Sequence, residues 1–272
     1  MRWILEDEED TQGLIRALKE TCTPHARVEI RPFTHELIGR GLANIPNGER
    51  VFVRGPFGLP EACATRGWDP VVWTGPELSE ISVQKAFGKD YLNADGFPCT
   101  LSDITPAFLR AEFRGQERVF IKPAEDTKTF SGQLIGIDEF WPWAERMIRT
   151  GYASPELMNE TVFVSAPQVL GCEWRAFVID GHVVTASCYK QYGRVMPEVW
   201  VPAGLLEFLE ACVALYDPLP GYALDVTQVE DGSFKVLEMN TLNHAGLYAC
   251  DPLAIVKAVN AVLDRTDLSP AP

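Results

Sequence analysis

Apolar and polar positions along the chain sort into short segments with different periods. "RWILE" at the start reads as a strand, "DTQGLIRALKETC" has the apolar spacing of a helix, and "ARVEIRPF" returns to strand, a β-α-β opening. "RVFVRG" at 50–55 adds a strand before "GPFGLPEACATRGWDPVVWTGP", a Gly- and Pro-rich run expected to be irregular surface or a short helix. A soft boundary falls near residue 85. Beyond it the pattern predicts a strand at "ERVFIKP", a polar loop "AEDTKTFSGQ", a helix near 138–150, and strands at "TVFVSAPQVL", "EWRAFVID" and "HVVTASCYK". A helix at about 203–216, a hairpin in "ALDVTQVEDGSFKVLEMN" and a last helix at about 252–264 complete the order. Tight turns such as Asp180-Gly181 join adjacent strands, so the larger part is α+β with a substantially antiparallel sheet.

Composition narrows the class. With 272 residues, 46% of them hydrophobic, the chain can bury a sizeable core as one large domain or two closely packed ones. "MRWILEDEED" turns acidic where a signal peptide needs its apolar region, and no stretch approaches the roughly 18 apolar residues of a membrane span. A cytoplasmic protein is expected. The seven cysteines form no Cys-x-x-Cys pair and are read as buried thiols rather than a zinc or disulfide framework. Twenty-four basic against 38 acidic residues give a net charge of −14, which disfavours a nucleic-acid partner.

Charge patterning inside the hairpin brings in chemistry. Asp231-Gly232 reads as a two-residue turn; Glu230 then pairs with Ser233 and the register sets Asp225 opposite Glu238, with Asn240 on the same face as Glu238. Like charges directly opposite one another are destabilising. A divalent cation resolves the repulsion, because two carboxylates and an amide oxygen suit Mg²⁺, which completes its shell with phosphate oxygens and water. The plainer alternative is a solvated sheet end where water screens the pair.

Cations come from two other segments. In "VFIKPAEDTKTFSG", Lys122 sits at a strand end and Lys128 follows in a loop where Ser131 and Gly132 can bring backbone N–H groups to phosphate oxygens. In "EWRAFVIDGHVVTASCYKQYGR", Glu173 and Arg175 share a strand face, while the next strand ends at Lys190 with Arg194 beyond. Ordinary surface for the first segment and an exposed ion-pair ladder for the second are the plainer readings.

The order of "FIKPAEDTKTFSG", "VFVSAPQVL", "EWRAFV", "SCYK" and "LDVTQ…VLEMN" resembles the ATP-grasp superfamily, and within it the Arg-to-Lys clade, over roughly residues 90–265. The resemblance implies an ATP-grasp fold, with residues 1–85 as a smaller N-terminal α/β pre-ATP-grasp domain and 86–272 as the ATP-grasp domain. It implies ATP and Mg²⁺ as cofactors. Lys122, Lys128, Ser131 and Gly132 would meet the phosphates; Ser165, Ala166 and Val169 would line the adenine pocket; Glu173 would bind ribose. Lys190 and Arg175 would face the phosphates, and Asp225, Glu238 and Asn240 would hold magnesium. Many members carry an arginine two residues before the hairpin aspartate, where this chain has Ala223; Arg175, Arg194 or Lys190 could take its catalytic part.

The implied reaction is carboxylate–amine ligation through an acyl phosphate, with a peptide or protein as one candidate substrate. A nucleotide-binding assembly factor without turnover, or a phosphotransferase onto a hydroxyl, would use the same residues. His244 in "EMNTLNHAGLY" is read as a loop histidine satisfied by its neighbours, ahead of a base, and Asn243 and Tyr248 share the ambiguity. Tyr189 and Tyr192 are read as packing or rim residues, and Trp141 and Trp143 as core or interface anchors.

Overall fold

The structure is a computed structural model that describes residues 1–7, 11–31, 34, 36–125, 129–151 and 154–267. In chain order, β1 (Arg2–Glu6), α1 (Gln12–Glu20), β2 (His25–Ile30), β3 (Leu37–Ile38), β4 (Arg50–Arg54), α2 (Leu59–Thr65) and β5 (Asp69–Val71) come first. They form a five-stranded sheet of order β3-β2-β1-β4-β5. Its β1–β2, β1–β4 and β4–β5 pairs are parallel, as a β-α-β beginning requires.

Next come α3 (Glu80–Phe87), β6 (Phe97–Thr100), α4 (Pro106–Glu112), β7 (Arg118–Pro123), β8 (Gln133–Gly136), α5 (Phe140–Arg149) and β9 (Thr161–Ser165). Their strands make an antiparallel sheet of order β6-β9-β7-β8. The run expected to be irregular surface or a short helix therefore holds α2 and β5. Helix α3, which follows it, starts where Ser79 accepts a hydrogen bond from the Ser82 N–H.

The last stretch holds β10 (Cys172–Ile179), β11 (His182–Gln191), β12 (Arg194–Glu198), α6 (Leu205–Leu215), β13 (Gly221–Gln228), β14 (Phe234–Thr241) and α7 (Pro252–Asp267). The sheet order is β12-β11-β10-β13-β14. Asp180 and Gly181 both have positive φ, 56° and 73°, as the two-residue turn between β10 and β11 demands. The 223–240 hairpin turns differently from the expected two-residue loop. The Val229 N–H donates to Ser233 O and the Gly232 N–H to Val229 O, so Glu230, Asp231 and Gly232 form a three-residue loop and Glu230 does not pair with Ser233. Gly232 sits at φ 84°, and the Asp231 carboxylate accepts the Ser233 N–H at 2.9 Å, a local bond that favours the longer loop.

The chain makes two compact units: Met1–Thr74 with Cys172–Asp225 and Asn240–Pro272, and Gly75–Gly171 with Val226–Met239. In the first, Trp3, Leu14 and Phe52 share a core with Phe177, Ala223 and Val256. The N-terminal sheet thus buries one face against later parts of the chain, and the compact units divide the chain differently from the boundary near residue 85 expected from the sequence. The second unit has its own core of β6–β9, α4 and α5 side chains, including Phe140 and Trp143. Trp143 is an interior anchor as expected, and Trp141 packs half-buried at the edge of that core.

Candidate functional site

Antiparallel pairing of β10 with β11 sets Glu173 opposite Lys190, two residues beyond the Cys188 that plain counting from the Asp180-Gly181 turn would give. Register shifts between Phe177 and Val178 and between Glu173 and Trp174 make up that difference. Glu173 is buried; its Oε2 accepts from the Tyr189 hydroxyl at 2.7 Å, and Lys190 Nζ lies 3.2 Å from Oε1. That 3.2 Å contact is an ion pair without hydrogen-bond alignment, so Oε1 is a buried acceptor with no aligned donor.

Two residues along β10, Arg175 is also buried and grips Asp225 of β13 from two sides. Nε is 2.8 Å from Oδ1 and Nη2 is 2.6 Å from Oδ2, while Nη1 donates to Gly246 O at 3.2 Å. The guanidinium also lies 5.6 Å from the Tyr189 ring and 5.1 Å from the Tyr248 ring, which stack on each other with centroids 4.7 Å apart. Asn240 Nδ2 lies 3.4 Å from Asp225 Oδ2, placing amide and carboxylate on one face. Charge balance at Asp225 is therefore supplied by a protein cation. The hairpin sequence alone points to a metal for this balance, because which strand lies beside β13 cannot be read from β13 itself.

In this unit the structure assembles Glu173, Arg175, Lys190, Asp225 and Asn240, joined through Tyr189. Tyr189 is thus a packing residue, stacked on Tyr248, whose hydroxyl also joins the polar network, and the signal for the second part was its place beside Lys190. Arg194 is exposed on the edge strand β12, and Tyr192 is exposed in the turn before it. Ala223 belongs to the hydrophobic core, so an arginine side chain has no room to take its place. His244 is satisfied as expected: Nδ1 meets Gly55 O at 2.5 Å and the ring lies 4.3 Å from Phe57. Asn243 is fully buried and ties three backbone groups, accepting from Trp73 N and donating to Val53 O and Val71 O.

In the other unit, Lys122 ends β7 and is 94% buried, at 6% exposure. Its Nζ lies 2.6 Å from Glu80 Oε2 and 5.9 Å from the centroid of the Tyr91 ring. The Tyr91 hydroxyl also donates to Glu80. Helix α3 delivers Glu80, because the Glu80 N–H donates to Ala124 O at 2.8 Å just past β7. Burial is the largest influence on the Glu80 carboxyl and raises its pKa; Lys122 opposes this, and the charge of Glu238 on β14 adds to it. Glu80 escaped sequence reading because an acid after Ser79 looks like an ordinary helix-start residue.

Ser165 closes β9 fully buried, its hydroxyl donating to Asn93 Oδ1 at 3.1 Å. The Ala166 N–H points at Asp95 Oδ2 at 3.4 Å, and Val169 is exposed. Ser131 and Gly132 are exposed, yet a Cβ on Gly132 would stand 2.6 Å from Phe120 Cζ and 3.3 Å from Lys122 Cβ, so the loop runs directly over β7. Lys128 lies outside the described residues. Glu238 is half-buried on β14, and Asn240 follows on the same face by strand alternation. Among the described residues no cluster of three or more His, Cys, Asp or Glu side chains is placed to hold a metal ion. Two carboxylates with an amide are a different donor set, hard oxygens suited to magnesium.

Three sheets with a buried strand-end lysine and a carboxylate–amide pair on a late hairpin are the features of an ATP-grasp fold. The model of the ATP-grasp domain, R2K clade family 2, matches residues 99–258, more than half of the chain, and the protein belongs to this family. Among solved structures it is similar to the D-cycloserine synthetase DcsG, with TM-score 0.62 and 16% identity over 97% of this chain and 100% of that one. A D-alanine–D-alanine ligase from Bacillus anthracis aligns with TM-score 0.60 and 14% identity, covering 98% of this chain and 99% of that one. The ATP-grasp ligase PsnB, solved with the precursor peptide PsnA2 and AMPPNP, aligns with TM-score 0.52 and 15% identity over 97% of each chain. At these identities the likeness is one of fold. No curated protein sequence matches the chain.

Proposed function

We propose that the protein is an ATP- and Mg²⁺-dependent ligase that joins a carboxylate to an amine through an acyl phosphate and releases ADP and phosphate. The observation that carries this reading is the polar network of Glu173, Lys190, Arg175, Asp225 and Asn240 in a chain of the ATP-grasp family. A buried acceptor without an aligned donor, Glu173 Oε1, suits a ribose hydroxyl. Ser165, Ala166 and Val169 are assigned to the adenine, and Lys122, Lys128, Ser131 and Gly132 to the phosphates. Residues 1–85 and 86–272 are assigned as the pre-ATP-grasp and ATP-grasp modules.

Asp225, Glu238 and Asn240 would hold magnesium, which would supply positive charge at the transferring phosphoryl group. The side chains of this chain do the rest by position and charge. Lys190 keeps its ammonium beside Glu173, and Arg175 is fixed by its two bonds to Asp225, so both cations are ordered before substrates arrive. Arg175 is accordingly the arginine that takes over from the missing side chain at Ala223, with Lys190 and Arg194 as further candidates for the catalytic part. No protein nucleophile is needed. The donor of the carboxylate or amine is proposed to be a peptide, in line with the precursor peptide bound by PsnB, and the cytoplasm is the proposed compartment.

Thermal stability tests the reading, with ATP and Mg²⁺ together, each alone, and GTP as control. A ligand at 100 times its Kd adds about 2.7 kcal/mol to a native state that alone binds it. Joint stabilisation by ATP and Mg²⁺ followed by amine-dependent ADP release is expected; no shift at millimolar ligand, or AMP as product, overturns it. A second reading, a nucleotide-dependent assembly factor without turnover, is favoured by Ala223 lying in the core where no arginine fits. It is the outcome if ATP·Mg²⁺ binds while ADP release stays at background.

A further inference from the structure

We propose that Glu80 is the resident counter-ion of Lys122, balancing its charge until a phosphate of the incoming nucleotide takes over, and that Glu80 thereby weakens nucleotide binding in exchange for a stable site. The proposal rests on the reading of Lys122 as a phosphate contact. Both side chains are more than nine-tenths buried, 7% and 8% exposed, and Nζ lies 2.6 Å from Oε2. A buried ammonium without a partner is costly, so loss of Glu80 destabilises the nucleotide-free fold.

The same carboxylate stands next to the place a phosphate must reach. Lysine has three N–H donors, one of which Glu80 holds, and the face of Tyr91 lies under the ammonium. Like charge on Glu80 opposes an arriving phosphate, and the neighbouring charge of Glu238 adds to the opposition unless a metal neutralises it. Tyr91 is arranged to keep Glu80 in place once Lys122 turns to phosphate, since its hydroxyl donates to the carboxylate independently of the lysine. The raised pKa of Glu80 agrees with a carboxyl whose charge is poorly solvated and depends on its partner.

The sign of one substitution separates this role from a merely structural one. Glu80→Gln removes the competing charge, so affinity for AMPPNP with Mg²⁺, measured by titration calorimetry, should tighten about three- to tenfold for one charge removed at a partly screened distance. Its melting temperature without ligand should fall, because Lys122 loses its counter-charge. Lys122→Ala should weaken binding, and adding Glu80→Gln to it should tighten it again only in part, since the direct repulsion between carboxylate and phosphate remains to be removed while the competition for Lys122 does not.

Weaker or unchanged binding in Glu80→Gln, while Lys122→Ala weakens it, overturns the counter-ion exchange and leaves the Lys122 assignment standing. An unchanged affinity in Lys122→Ala overturns that assignment and the exchange with it. Should Glu80→Gln not fold, Glu80→Asp draws the charged group back from Nζ by one methylene. Tightening of the same sign is then expected, and weaker or equal affinity overturns the proposal.

Discussion

Arg175 and Asp225 are joined by two parallel hydrogen bonds, 2.8 and 2.6 Å long, between side chains that are both more than nine-tenths buried. A two-pronged guanidinium–carboxylate pair is strong because both donors meet both acceptors in one plane. It also answers how a strand rich in Val, Leu and Tyr keeps a fully buried aspartate: the compensating charge comes from β10.

Asp225→Asn is therefore expected to lower stability by about 3 kcal/mol even in EDTA, because it leaves the Arg175 guanidinium buried and poorly paired. Taken from the hairpin alone, the same substitution would relieve repulsion and stabilise. Urea unfolding with chelator distinguishes the two. Replacing both partners, Arg175→Met with Asp225→Leu, should recover most of the loss.

Glu238→Gln has the opposite expectation. Glu238 is half-buried and its charge opposes ionisation of Glu80, so neutralising it should leave metal-free stability within about 0.5 kcal/mol of the parent or above it. Stabilisation by ATP that depends on Mg²⁺ should be lost in the same variant. Thermal melts with and without Mg²⁺ check both outcomes.

Asn243→Ala removes three bonds to buried backbone: to Val53 O at 2.5 Å, to Val71 O at 3.3 Å and from Trp73 N at 2.9 Å. Orphaned buried donors and acceptors each cost about 1–3 kcal/mol. A loss of about 3 kcal/mol in denaturant unfolding is expected, well beyond that of His244→Ala, whose ring is only half-buried.

Thiol chemistry should follow burial. Cys22 is exposed, contrary to the expectation that every cysteine is buried, while Cys63 and Cys250 are buried and burial pushes them up to about 12 and about 11. A thiol whose folded pKa lies above its ordinary value adds stability that is complete below that value and is lost as pH rises through the folded one. At pH 8 a thiol reagent should label Cys22 quickly and Cys63 and Cys250 only on unfolding. Alkaline destabilisation should set in above the ordinary value of 9.0 and continue towards 12.

Period and turn chemistry made much of this protein legible in one dimension. The strands at 2–6, 118–123 and 172–191, the helices at 140–149 and 205–215, and the Asp180-Gly181 turn depend on alternation, helical spacing and positive φ, all local properties. That Glu173 and Lys190 lie on neighbouring strands was legible for the same reason, but the rung was not: counting from the two-residue turn sets Glu173 opposite Cys188, and two register shifts carry it to Lys190. Tertiary structure alone decided the partners: Glu80 for Lys122, Arg175 for Asp225, Tyr189 for Glu173 and the core around Ala223. Those contacts join residues on separate elements, and a side chain's charge balance depends on what packs beside its strand, information that alternation along a single strand does not carry.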